Sequence, residues 1–195
     1  MTKADKKAAV IRAALELIAE RGFHGAPAAD IAARARVGVG TIYRYFENKD
    51  ALIVGIMHDL EARVAARLFD EAYLKDGTAR ERFLHISGGL LNYYLDNPLD
   101  FKFVEQFINS PYGAAFCRDK IFGEPSTEGV AGALRRLFEE GMDGGLVKPL
   151  PLPVLFALSF GPVMFIMRDH ILGLITLDEP LMDATVKACW DAIKA

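Results

Sequence analysis

Cysteine is scarce in this 195-residue chain: Cys117 and Cys189 are its two, 72 positions apart. Two thiols cannot build a disulfide framework, so a reducing compartment, the cytoplasm, is expected. Excess charge of one sign is also lacking. Lys and Arg number 23 against 26 Asp and Glu, a net of −3, so the whole chain is not a strongly basic nucleic-acid binder. Disorder is excluded, because 52% of the residues are hydrophobic. No stretch alternates apolar and polar residues with β-branched enrichment, so no strand is predicted. The first 20 residues carry Asp5, Arg12, Glu16 and Glu20, which argues against a signal peptide.

Catalytic patterns are missing as well. His24, His58, His85 and His170 have no metal-ligand spacing, and no serine sits in a nucleophile elbow. Gly38-Val39-Gly40 is a fragment of a dinucleotide fingerprint, but Tyr43 stands where its third glycine belongs and no strand precedes it. No enzyme activity, cofactor or metal is expected. A long uncharged run does occur, Pro149 to Met167. Pro149, Pro151 and Pro153 alternate, which suits an extended connection, and the remaining Val154 to Met167 is short for a membrane span. A core or interface helix is predicted there.

What is present is helical periodicity almost throughout. Lys3 to Arg21 places Val10, Ile11, Ala14, Leu15, Leu17 and Ile18 on one face, and Gly22 follows as a stop. Pro27 opens a short second helix with Ile31, Ala32 and Ala35 inward. A third starts at Gly38 to Gly40 and reaches about Phe46. Asn48 caps a fourth that runs to about Leu74 and ends at Asp76-Gly77. Further helices are predicted from the Thr78–Glu81 capping box to about Leu95, over 99–109, from Glu124-Pro125-Ser126 to about Met142, over 152–174 and over 179–194. An irregular or helical piece covers Gly113 to Phe122. The reading is all-α with about nine helices, split into a head, 1–48, and a body, 49–195.

The head is the informative part. Residues 1–50 carry a net charge of +3 and the remainder −6. Within Ala28 to Lys49, two short helices joined by a tight turn form a helix-turn-helix, since neither can bury its own face. Ile42 and Phe46 point inward, so Thr41, Tyr43, Arg44 and Tyr45 form the exposed face of the second helix. Those side chains can donate to phosphate oxygens and touch base edges. Gly38 and Gly40 keep the helix start lean, so backbone amides can approach phosphate.

These residues resemble the tetracycline-repressor (TetR) family of bacterial regulators. The likeness runs through Ala14-Leu15-Glu16-Leu17, Gly22-Phe23, Asp30-Ile31-Ala32, Gly40 to Phe46 and Asn48-Lys49-Asp50-Ala51-Leu52, about the first 55 residues. The resemblance implies a three-helix DNA-binding head on a helical ligand-binding body. It implies a homodimer on a palindromic operator, a repressor released by a small molecule. By position it assigns DNA contacts to Thr41, Tyr43, Tyr45 and Lys49, with Lys49 on phosphate; the exposed face of the same helix adds Arg44, its lean start Gly38, Val39 and Gly40, and the turn Arg36. Arg36 stands where the family's turn has glycine, which implies a strained left-handed residue. Ala26, Pro27, Gly38, Val39 and Glu47 also depart from the family's polar or basic choices, which points to modest affinity or an operator read partly through its shape.

The body is rich in aromatics. Most belong to a helical core, and some are expected to line a cavity for an apolar or aromatic effector. The residues assigned to it are His85, Tyr93, Phe103, Gln106, Phe107, Phe160, Met164 and His170; Asn92 and Asn109 are further polar groups that could orient a ligand. Pro162 inside a helix can bend it and open space. The last two helices are predicted to form a four-helix dimer interface through Leu155, Leu158, Ser159, Val163, Ile166, Leu181, Thr185, Ala188, Cys189 and Ala192, the rival being an internal core. The alternative function is a helical carrier or sensor of hydrophobic molecules without a DNA role.

Overall fold

A computed structural model describes residues 2–68, 77–121 and 129–195. Its described residues form ten α-helices, one π-helical turn and no strand. They are α1 (Lys3–Arg21), α2 (Ala28–Arg34), α3 (Val39–Tyr43), α4 (Lys49–Leu68), α5 (Ala79–Asp96), α6 (Pro98–Ile108), α7 (Pro111–Phe116), the π turn Cys117–Ile121, α8 (Gly129–Asp143), α9 (Leu152–Ile171) and α10 (Glu179–Ile193). The fourth helix's expected end near Leu74 and Asp76, and the expected Phe122 and Glu124-Pro125-Ser126 boundaries, lie outside the described residues. Two compact units emerge. The first holds residues 1–63 and 99–114, the second 64–98 and 115–195.

In the first unit, α1 starts with a capping box. Thr2 N–H donates to Asp5 Oδ2 at 2.7 Å and Asp5 N–H to Thr2 Oγ1 at 3.2 Å. The helix stops at Gly22, whose φ of 74° is the left-handed conformation that glycine adopts without strain. Its buried face contains all six residues expected from the periodicity. Phe101, Phe103 and Phe107 of α6 are buried in the same unit, and Phe23 meets Phe103 edge-on at 6.4 Å. Phe103 stacks on Phe107 at 5.8 Å, and Phe107 on Tyr112 at 6.4 Å. Asp100 is buried too, and the Arg63 guanidinium meets it with two donors.

In the second unit, Thr78 and Glu81 form the expected capping box at the start of α5. Phe83 lies 5.5 Å from the Trp190 ring, and Phe138 meets Phe156 edge-on at 5.2 Å. Gly145, at φ 68°, turns the chain after α8. The segment that follows pairs with the C-terminus, Lys148 N–H donating to Ile193 O at 2.8 Å and Ala195 N–H to Leu146 O at 3.1 Å.

Two helix ends differ from expectation. The third helix closes at Tyr43 instead of near Phe46, because Tyr45 N–H and Phe46 N–H both turn back to the Ile42 carbonyl. The α9 helix ends at Ile171 instead of Leu174, because Gly173 takes φ 75° and its N–H bonds the His170 carbonyl. Pro162 sits inside α9, which continues through it.

Candidate nucleic-acid interface

The head is assembled by short-range logic. The turn after α2 is closed by Val37 N–H donating to Ala32 O at 3.0 Å, and Arg36 at its crest has φ 55°. Arg36 is the one non-glycine residue with positive φ among the described residues. The conformation costs an L-residue about 1 kcal/mol, so the strain read from the sequence is real. Ile42 is 2% exposed and Phe46 is buried beside it. Gly55 of α4 explains itself here: a Cβ at that position would come within 2.7 Å of the Phe46 ring.

With Ile42 and Phe46 inward, α3 turns its other side to solvent. Tyr43 is 52% exposed, Val39 and Arg44 are exposed, and Thr41 is half-buried. Gly38 and Gly40 are instructive. Gly38 has φ −73°, which any residue adopts, and a Cβ at either glycine would meet nothing within 4 Å. Neither glycine is needed by the fold around it. Both leave room for something that approaches from outside.

Two expected phosphate donors are already engaged. The Tyr45 hydroxyl donates to Lys3 O at 2.8 Å, which spends its one O–H. Lys49 Nζ donates to Phe23 O at 2.5 Å, just past the end of α1, and keeps two N–H groups for another partner. The tie from Tyr45 brings in residues that the motif reading missed. Lys3, Lys6 and Lys7 are exposed on the first turns of α1, and Lys7 Nζ lies 5.7 Å from the Phe46 ring centroid. The signal was visible as three lysines within the first seven residues, but only the fold sets them beside the end of the helix-turn-helix. Ala26, where a hydroxyl residue was expected, is fully buried. On the flank of the head, Arg34 grips Glu20 with two donors at 2.9 Å each, and this pairing lowers the Glu20 carboxyl below its ordinary range.

The residues assigned to an effector cavity fall into both units. Phe103, Gln106 and Phe107 belong to the first. The two rings are fully buried there, and Gln106 Nε2 donates to Ile18 O at 3.1 Å, satisfying a carbonyl at the end of α1. His85, Tyr93, Phe160, Met164 and His170 belong to the second. Tyr93 is buried edge-on to Tyr94, and Phe160 lies 6.3 Å from Phe83. A ring nitrogen of His85 lies 2.9 Å from Leu68 O. His170 Nδ1 accepts from Leu177 N–H at 3.2 Å and so ties down the turn after α9. Asn109 donates to Glu105 O within its own helix, and Asn92 lines a cleft described below.

The last two helices present an uncovered face. The α9 helix is long and apolar enough to cross a membrane by length and composition, yet only 22% of that stretch is buried within the chain. Leu155, Ser159, Val163, Thr185 and Cys189, expected at a dimer interface, are buried in the chain's own core. The large apolar side chains left outward are Val154 and Phe165 on α9, Leu172 and Leu174 just after it, and Leu181 on α10.

Comparison with known proteins gives a coherent picture. The sequence profile of the bacterial regulatory proteins of the TetR family matches residues 10–56. That of the tetracyclin repressor-like C-terminal domain matches residues 79–194. A fatty acid metabolism regulator protein from Bacillus subtilis is 35% identical over 80 residues, which are 41% of this chain and 41% of that protein. The chain thus matches about two fifths of the length of such curated relatives. Among solved structures, a TetR family transcription regulator from Marinobacter aquaeolei superposes with a TM-score of 0.81 at 21% identity, covering 98% of this chain and 96% of that one. A TetR family transcriptional regulator from Vibrio parahaemolyticus superposes at 0.73 with 29% identity, covering 97% and 99%.

Proposed function

The chain belongs to the TetR family of bacterial regulatory proteins, and from that premise we propose a ligand-released repressor that binds a palindromic operator as a homodimer. The observation that carries the DNA reading is the outer side of α3. There Gly38, Val39, Gly40, Thr41, Tyr43 and Arg44 present a lean, donor-bearing surface that the fold itself does not use. Thr41, Tyr43 and Arg44 read or touch the major groove, while Arg36 and Lys49 hold the backbone, joined by Lys3, Lys6 and Lys7, whose helix Tyr45 ties down. A cytoplasmic location goes with this role, since the DNA is there.

Pairing through α9 and α10 supports the homodimer. An apolar helix with only 22% of its span-length stretch buried within its own chain needs a partner, and a second copy of the same face supplies one. The two recognition helices then reach successive major grooves, about 34–36 Å apart. A small apolar or aromatic effector binds the second unit, where His85, Tyr93, Phe160, Met164 and His170 lie. It weakens DNA binding by as much as it discriminates between the two head spacings.

A gel shift with DNA from upstream of the protein's own gene tests the proposal. Sequence-selective binding that falls steeply with salt is expected. A folded dimer with no selectivity at low salt would sink it and leave the carrier reading standing.

A further inference from the structure

A cleft of about 360 Å3 opens in the second unit, lined by Leu84, Gly88 and Asn92 of α5 and by Glu179, Pro180, Met182, Asp183 and Val186 of α10. Leu84, Gly88 and Asn92 are spaced four apart, so they lie along one stripe of α5.

Gly88 and Gly89 stand side by side in the interior of that helix, where glycine is worse than alanine. They have different reasons to be there. A Cβ at Gly89 would come within 2.3 Å of Leu68 Cδ2, so packing within the unit requires that glycine. A Cβ at Gly88 would meet nothing within 4 Å. The space that Gly88 leaves free is the cleft.

The polar lining has one character. Glu179 and Asp183 offer carboxylate oxygens. Asn92 gives one of its two Nδ2 N–H groups to the Gly88 carbonyl at 3.0 Å, and its Oδ1 remains an acceptor. Asp183 already pairs with Lys187 one turn on, while Glu179 has no hydrogen bond or ion pair among the described residues. Leu84, Pro180, Met182 and Val186 supply the apolar wall. On α10 the cleft side differs from the outward Leu181, Ala184 and Ala188 face, so self-pairing through that face leaves the cleft open.

We propose that this cleft binds a small amphipathic cation, a primary ammonium on an apolar body, with the ammonium on Glu179, Asp183 and Asn92 and the body against Met182 and Val186. Three acceptor groups match the three donors of an ammonium, and both charged groups in the lining are carboxylates, which repel an anion. The inference does not depend on DNA binding and concerns none of the head residues.

The test uses the full chain and three probes of equal length: hexylammonium, hexanol and hexanoate. Binding is followed by the shift of the Met182 methyl signal in NMR and by calorimetry. Hexylammonium is expected to bind at about millimolar concentration, hexanol about tenfold more weakly, and hexanoate not at all. Glu179→Gln should weaken hexylammonium about tenfold and leave the hexanol affinity in place. Gly88→Leu should fill the cleft and abolish binding of both, with thermal stability at least that of the parent. Equal binding of hexanoate, an undiminished affinity in Glu179→Gln, or no shift at Met182 would each overturn the proposal. So would a folded Gly88→Leu variant that left hexylammonium bound, because the ligand would then lie outside the cleft.

Discussion

The hydroxyl of Tyr45 donates to the backbone carbonyl of Lys3 at 2.8 Å, joining residues 42 positions apart. The bond pins the first turn of α1, with its lysines, to the foot of the recognition helix.

Tyr45→Phe keeps the ring and deletes that bond. We expect a stability loss of about 1 kcal/mol in urea unfolding. Operator affinity should fall a few-fold in fluorescence anisotropy, because Lys3, Lys6 and Lys7 are no longer held in place. An affinity loss with no stability loss would mean that the hydroxyl acts on phosphate and not on Lys3.

Lys49→Ala removes the donor to Phe23 O, for which we also propose a contact with the DNA backbone. The log–log salt slope of DNA binding should drop by about one, equally on operator and random sequence. An unchanged slope would restrict Lys49 to holding the end of α1.

Gly40→Ala separates folding from reading. The added methyl meets no neighbour in the chain, and alanine suits a helix better, so stability should hold or rise by about 0.5–1 kcal/mol. Operator affinity should fall tenfold or more as the methyl blocks the close approach of DNA. Unaltered affinity would show that α3 is not approached at this point.

Gly89→Ala and Gly88→Ala should differ in sign although they are neighbours. The first drives a methyl into Leu68 and should cost about 1–3 kcal/mol. The second should be neutral or stabilising by up to about 1 kcal/mol. Denaturant midpoints of the two variants decide the matter.

Tyr112 donates to Asp50 Oδ1 at 2.6 Å, and this bond, helped by burial, raises its hydroxyl above the ordinary 10.0. A raised folded value means stability that is fully present below pH 10 and lost as pH climbs through that higher value. The stability gap between the parent and Tyr112→Phe should therefore be constant at pH 8–9 and close above pH 10. A gap that widened with alkali would contradict the assignment.

Much of the fold was legible because its signals are local. The Thr78–Glu81 box and Gly22 act within one turn of chain, and the α1 stripe needs only periodicity. The inward Ile42 and Phe46 and the strained Arg36 were readable for the same reason. Phe103, Phe107 and Gln106 were not, because aromatic clustering along the chain does not say which neighbour a ring packs against. Only the fold places them in the unit of α1. The same limit hid the lysines of α1, whose value depends on a contact 42 positions away. Of the interface residues expected on α9 and α10, Leu155, Ser159, Val163, Thr185 and Cys189 lie in the chain's own core while Leu181 and Ala188 are exposed, since an apolar helix offers no polar side to mark which way is in.

Pairing through the outward face of α9, as proposed above, would make the regulator's activity depend on how much of it the cell holds. If only the paired form grips an operator, the DNA-binding population grows with the square of chain concentration while pairing is incomplete. A modest fall in synthesis then silences the protein more than proportionally. With such pairing, the greasy outer side of one helix would set a threshold on gene dosage.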